Sequence, residues 1–296
     1  MRIENVKDAT PEQIRELQLK QLEILKAFKA LMDRHGLTFY LLGGTMIGAV
    51  RNHGFVPWDD DVDVIMPRKD YELLYSNRET WLKGTDYNLV RTDRTQNQHI
   101  TGMSFKDTRT TFINQHSVHE QIQHSIGIDV NPLDFRPVGK FKRYEQMVLG
   151  AIFSLFNANR LPDHQGALLR MLASVPLKAL PEKLKATIWM WAEKRMISLG
   201  SSNSGEVVEL GVGFSALKRF VRADWFDHPV LVDFEDTKMP VPNGYDEYLT
   251  AVVGNYMAYP PEATRVAKHR TYLIDTEKAY SNQQRVNIEQ KVRQDG

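Results

Sequence analysis

Four aspartates within five residues, Asp59, Asp60, Asp61 and Asp63, stand at the head of an apolar run in the stretch GGTMIGAVRNHGFVPWDDDVDVIMPRKDY, Gly43 to Tyr71. Val62, Val64 and Met66 alternate there with Asp61, Asp63 and Ile65, the period-two pattern of a strand with one apolar face. Alternation sends Asp61 and Asp63 to the same face, about 6.5–7 Å apart along the strand. Two carboxylates held so close repel unless a positive group lies between them. A divalent cation meets that need, and hard oxygen ligands suit Mg²⁺ or Mn²⁺. Gly44 lies 17 residues upstream of Asp61. The Gly43-Gly44 turn lets a backbone approach phosphate closely, and the helix read over TMIGAVRNH offers free N–H groups to an anion. The combination suggests metal plus phosphate. A solvated acidic turn after a tryptophan is the plain alternative; it suits a lone Asp-x-Asp better than this cluster.

The surrounding pattern places this stretch in a mixed α/β chain. Thr10, Pro11 and Gln13 form a helix start with a capping box. Ile14, Leu17, Ile24, Leu25, Phe28, Leu31 and Met32 then recur at helical spacing, and Gly36 is the expected stop. LTFYLL, Leu37 to Leu42, reads as a strand, so residues 10–82 read helix, strand, helix, strand, helix. YNLVRT, ITGMSFKD, TRTTFIN and SIGIDV read as short strands. Residues 140–200 return to helical spacing, interrupted by Pro162, Pro176 and Pro181. That stretch carries ten Lys/Arg against four Asp/Glu, so it is +6 and the remainder −5. VVELGVGF and VLVDF read as strands, PVPNGYDEYLTAVVGNYM as a turn and a helix stopped by Pro260-Pro261, and the chain after Lys278 as a loosely held polar tail.

At 296 residues the chain is long enough for two domains, or one with an insertion. Lys+Arg 38 against Asp+Glu 37 gives a net charge of +1, which argues against a nucleic-acid partner. The absence of cysteine excludes disulfides, thiolate zinc sites and cysteine nucleophiles. MRIENVKDATPEQ lacks the apolar core of a signal peptide. The longest uncharged run, Gln146 to Asn159, is 14 residues, short of the ~20 a membrane span needs. A cytoplasmic protein is expected. The +6 segment has two readings, a solvated helical face or peripheral contact with anionic lipid at the inner face of the plasma membrane.

A third carboxylate would complete a metal site. Asp129 in the apolar run IGIDV is costly to bury without a partner, and Asp134 lies just beyond; chemistry alone leaves both open.

The Gly43–Tyr71 stretch closely resembles the signature of the LicD family, the phosphocholine transferases of bacterial surface glycans. The entry helix before LTFYLLGGT, the stretch GIDVNPLD and the block FEDTKMPVPNGYDEYLTAVVGNYMAYPPE resemble the family in the same order. The resemblance implies a nucleotidyltransferase-like fold of the polymerase-β type: a mixed-sheet α/β (α+β) core with flanking helices and a helical insertion. The divisions expected are a catalytic core at 1–138, a basic helical insertion at 139–205, a part completing core and substrate site at 206–280, and a polar tail at 281–296. It implies Asp61, Asp63 and Asp129 as catalytic and metal-binding acids. The insertion RNHGFVPWDD is typical of the family and leaves Arg51, His53 and Trp58 without an assigned role.

By the same resemblance the donor is CDP-choline or another CDP-alcohol; eukaryotic relatives such as fukutin-related protein transfer ribitol phosphate. The acceptor is a sugar hydroxyl on a glycan or lipid-linked oligosaccharide, as in lipopolysaccharide or teichoic-acid precursors, and CMP leaves. Two Mg²⁺ ions would be held by the three acids, Asp129 could take the acceptor proton, and Gly43, Gly44 and Thr45 would contact the diphosphate. Arg51 and Lys106 are candidate phosphate partners, against a plain reading as surface cations. Trp58, Trp225, Tyr245, Tyr248 and Tyr256 are candidate faces for a quaternary ammonium, against core packing. His269 and Arg270 fit either a phosphate contact or a solvated turn. Two other functions stay open: a glycosyltransferase using the Asp-x-Asp on a nucleotide sugar, and a non-catalytic glycan-precursor-binding protein.

Overall fold

The structure, a computed structural model, describes residues 1–158, 180–210, 217 and 219–295. Pro162 and Pro176, the 159–179 part of the basic insertion, the end of VVELGVGF and Gly296 lie outside the described residues.

Helix α1 (Pro11–His35) starts and stops as its sequence predicts. Thr10 Oγ1 accepts from Gln13 N at 3.3 Å, Gln13 Oε1 accepts from Thr10 N at 2.9 Å, and Gly36 closes the helix at φ 64°. Every residue of the predicted apolar stripe is buried, and a fully buried Leu or Phe contributes about 1.5–3 kcal/mol. The stripe lies on a six-stranded mixed sheet. Its order is β2 (Tyr40–Leu41), β3 (Asp63–Pro67), β7 (Gly127–Phe135), β5 (Met103–Asp107), β4 (Tyr87–Arg91), with β8 (Val207–Glu209) on the far end of β7. Phe28 meets Phe39 and Phe105 edge-on at 5.2 and 5.4 Å, which seats α1 against β5.

β3 and β7 pair in parallel; every other pairing in this sheet is antiparallel. A parallel pair needs a long crossover. Here it comprises α3 (Arg68–Trp81), β4, β5 and β6 (Thr111–Asn114). β6 belongs to a second, three-stranded sheet with β11 (Thr271–Asp275) and β1 (Arg2–Ile3). β9 (Pro229–Phe234) and β10 (Thr237–Pro242) form a hairpin. It turns at Glu235, held at φ 57°.

The helical insertion supplies α4 (Lys140–Ala158) and α5 (Glu182–Leu199). They share a separate apolar cluster built on Leu149, Phe153, Trp189 and Met196, which reaches Val208 of β8. Three expectations change. The helix expected to stop at Pro260-Pro261 is α6 (Tyr245–Val253) and ends at Gly254. The strand predicted over DDDVDVIM begins only at Asp63, because side chains of α1 hold the backbone of Val56, Asp59 and Asp60 in a loop. The tail is not loosely held. Residues Asn282–Asp295 form α7. Ile288 packs beside Ile113, Val118 and Leu273, and Arg285 donates to the Val118 carbonyl at 3.3 Å.

Candidate active site

Asp63 and Asp129 are register partners across the parallel β3–β7 pair, and side chains at matched positions share a face. Asp61 stands two residues before Asp63, and Asp129 N donates to the Val62 carbonyl at 2.8 Å, so the approach to β3 is already tied to β7. On the other side of β7, Ser104 of β5 is the register partner of Asp129. Asp134, five residues further along β7, falls on the opposite face. It is buried in a two-pronged ion pair with Arg68 at 2.8 and 2.6 Å.

The loop before β3 is wired from behind. Gln18 Nε2 donates to the carbonyls of Val56 and Asp59 at 3.0 and 2.9 Å, and Gln21 Nε2 to that of Asp60 at 2.9 Å. The carboxylates of Asp59, Asp60 and Asp61 each bring an oxygen within 4.8 Å of the others, the one such trio of acidic or histidine ligands among the described residues. Their partners differ. Asp60 accepts from the backbone N–H groups of Lys268 and His269 at 3.1 Å each and meets His269 Nδ1 at 3.2 Å. Burial alone would raise the Asp60 carboxyl, but these bonds hold it below its ordinary value. Burial likewise pulls the His269 imidazolium down, and Asp60 more than reverses that, to about 9. His269 is therefore no solvated turn residue: it ties the C-terminal part to the acid loop, while Arg270 stays exposed.

α2 (Gly43–Asn52) points its N-terminus at β3. Gly43 takes φ 55°, and no side chain caps the helix. A Cβ on Gly44 would press on Asp59 Oδ2, so a larger residue there would displace the buried Asp59 carboxylate. Thr45 is buried, and its Oγ1 accepts from Asp63 N at 3.0 Å, fixing the head of β3.

The electrostatics are lopsided. Burial, then the charge of Asp61, pushes the Asp59 carboxyl up to about 7. Burial and the charges of Asp61, Asp129, Asp59 and Glu209 push Asp63 well above the carboxylate range. Asp129 opens to solvent at the floor of a cleft but is otherwise surrounded by protein. Desolvation raises its carboxyl against the pull of Lys106. Burial brings the Lys106 ammonium down to about 8, with Asp129 opposing; its Nζ donates to the Gln123 carbonyl at 2.7 Å. Carboxyls forced to hold protons, on hard oxygen donors, fit a divalent cation.

Sequence reasoning passed over Glu209 of β8. Its carboxylate accepts from Tyr248 Oη at 2.7 Å, is raised by burial, and adds to the charge on Asp63. Nothing local marks it; only the β7–β8 pairing brings it here. Arg51 is engaged by the C-terminal part: it donates to the carbonyls of Tyr256 and Ala258 at 3.1 and 3.3 Å and lies 4.3 Å over the Tyr259 ring. His53, at φ 55°, ends α2 and accepts from Glu235 N at 2.8 Å. Among the aromatic candidates, Tyr248 and Tyr256 are buried with hydroxyls bonded to Glu209 and Asp246, and Trp225 and Tyr245 pack on the core. Trp58 instead pairs with Tyr259, an unforeseen partner, at 6.0 Å, and the Arg265 guanidinium sits 5.7 and 5.4 Å from the two rings.

A glycine turn opening a helix, a strand entered through Asp-x-Asp, and a third acid on the parallel neighbour within a mixed sheet define a nucleotidyltransferase-like domain. Residues 36–142 match the family described as LicD/FKTN/FKRP, nucleotidyltransferase domain. Those residues, about a third of the chain, thus carry a domain of the LicD type. It is 29% identical over 268 residues to the lipopolysaccharide cholinephosphotransferase LicD of Haemophilus influenzae, a match covering 86% of this chain and 96% of that protein. Over 52 residues, 18% of this chain, it is 31% identical to uncharacterized proteins of Rickettsia prowazekii and Rickettsia typhi, covering 20% and 17% of them.

Proposed function

We propose that this chain transfers phosphocholine, or a similar alcohol phosphate, from a CDP-activated donor to a sugar hydroxyl of a lipopolysaccharide- or teichoic-acid-type precursor, with CMP as the other product. One observation carries the reading: Asp63 and Asp129 stand side by side in register, with Asp61 at the entry to the same strand. The likeness to Haemophilus LicD supports choline as the alcohol.

Mg²⁺ or Mn²⁺ held by Asp61, Asp63 and Asp129 would offset the charge on the transferring phosphoryl group and on departing CMP. The N–H groups of Gly43, Gly44 and Thr45 face the donor diphosphate. Asp129 receives the acceptor proton as the sugar oxygen bonds to phosphorus and the bond from phosphorus to the CMP oxygen breaks. Lys106 stands beside it as a phosphate partner. Trp58 offers an aromatic face to the quaternary ammonium, and Arg51 acts there through Tyr259.

No helix among the described residues is long and apolar enough to cross a membrane. Phe141 is 94% exposed and Tyr144 68%, three residues apart on α4 beside Lys140 and Lys142, while Arg143 is paired with Glu206. That face suits an anionic lipid surface, and we place the protein on the cytoplasmic side of the membrane bearing its acceptor.

The test is CMP release from CDP-choline, CDP-ribitol, CDP-glycerol and CDP-ethanolamine. One of the four is cleaved, and Asp61→Asn or Asp63→Asn lowers the rate by about a hundredfold or more. Full activity in both variants, or release of UDP or GDP from a nucleotide sugar instead, would overturn the reading.

A further inference from the structure

On the β5 side of the carboxylates the cleft deepens into a chamber that the transfer chemistry described above leaves unused. Asp61, Asp129 and Lys106 stand at one end; β6, the loop before β5 and the connection from β6 to β7 wall most of the rest. Its interior volume is about 160 Å³, many times what one water needs and room for a single small ring. Three side-chain amides line it with buried oxygens that have no hydrogen-bond partner among the described residues: Gln21 Oε1, Gln98 Oε1 and Asn114 Oδ1. Gln21 and Gln98 are only 2% and 7% exposed. The Gln21 amide cannot turn to satisfy itself, because its Nε2 already donates to the Asp60 carbonyl. Buried polar oxygens are almost always paired, so three in one chamber call for a ligand that brings donors.

The chemistry of the lining narrows the ligand. A phosphate would suit the Lys106 and histidine end of the wall, but not these amide oxygens, which only accept. A trimethylammonium group would need aromatic faces, and Phe112 is the one Phe, Tyr or Trp among the described lining residues. Hydroxyl groups both donate and accept, and match amides and the buried hydroxyls of Ser117 and Ser125 in either sense. Strand order supplies the direction. The α2 N-terminus lies on the β2–β3 side of the acids and the chamber on the β5 side, with Asp129 on the strand between.

We propose that this chamber seats the sugar ring of the acceptor and delivers its hydroxyl to Asp129 from the side opposite the donor phosphates, a statement that rests on the transferase reading above.

Saturation-transfer NMR on the full chain tests it, with methyl β-glucoside, methyl β-galactoside and methyl N-acetyl-β-galactosaminide as probes. At least one glycoside binds the wild type. Gln98→Met and Asn114→Leu each weaken it by about tenfold, the loss of one hydrogen bond. Saturating CDP-choline leaves the glycoside signal in place. Binding of none of the three, unchanged binding in a variant that keeps the wild-type circular dichroism spectrum, or displacement by CDP-choline would overturn the proposal; the displacement arm needs no variant. Failure of the donor reading shows separately, as absent CDP-alcohol binding by calorimetry while glycoside binding persists.

Discussion

Asp60 and Asp61 are adjacent in the chain and opposite in circumstance. Asp60 is buried and spends its oxygens on Lys268 and His269, 208 and 209 residues away, whereas Asp61 is half-buried at the cleft. From the sequence both are charges in one acidic run; a partner so distant leaves no local trace. Asp129 and Asp134 were likewise inseparable on chemistry, and strand parity separates their surroundings. Asp134→Ala removes the two-pronged partner of Arg68 and leaves it Glu72 and Glu193, so urea denaturation should show a loss of about 1.5–3 kcal/mol. Transferase activity per folded molecule should persist. A loss of under 1 kcal/mol would contradict this account of the pair. The raised carboxyls of Asp59, Asp63 and Asp129 also set a pH dependence. Their folded states hold protons that the unfolded chain releases near 4, so their contribution is full below that pH and is lost as pH rises through about 7 for Asp59. Mg²⁺ competes for the same oxygens. The rise in melting temperature on adding Mg²⁺ should be larger at pH 8 than at pH 5.5, read by scanning fluorimetry; no rise at pH 8 would speak against a cation there.

Elements defined by local chemistry were the legible ones. The capped α1, its buried stripe, and the strands at YNLVRT, MSFKD, TFIN and GIDV follow from caps and alternation. The polar α7 did not, because its few apolar contacts lie on β6 and β11, which the periodicity of 282–295 cannot reveal. The turn after α2 was half legible. Its glycine is plain in the sequence, but not the clamp across it, where Arg15 grips Glu235 at 2.8 and 2.6 Å and Glu235 accepts from Phe55 N at 3.1 Å. Inside α2, a Cβ on Gly48 would lie 2.4 Å from the Gly54 carbonyl oxygen and 3.0 Å from Val56 N, both backbone. Gly48→Ala should therefore destabilise the fold by about 1–3 kcal/mol in calorimetry, despite the better helix propensity of alanine. A stabilised variant would mean that helix and loop are less tightly apposed.

Across the whole molecule, the insertion is anchored by charge as well as by its own apolar cluster. Glu193 of α5 meets Arg91 of β4 at 2.8 Å and Arg68 at 3.7 Å. This leaves Phe141 and Tyr144 turned outward with Lys142 between them in sequence. Sedimentation with phosphatidylcholine vesicles should show binding that strengthens when phosphatidylglycerol is included. Lys142→Glu should weaken it by about tenfold, given ~1 kcal/mol for each charge removed or reversed near the surface. Equal binding to neutral and anionic vesicles would refute the electrostatic part. At this scale the sequence disclosed the excess of charge but not the outward aromatics, since their exposure depends on which face α5 covers.

Gln18 and Gln21 grip the acid loop by its carbonyls, not its side chains. Transplanting Gly43–Tyr71 into another scaffold would therefore carry the carboxylates without the splint that shapes them. Conversely, substitutions on the hidden flank of the first helix could retune the reaction centre while leaving every acid untouched.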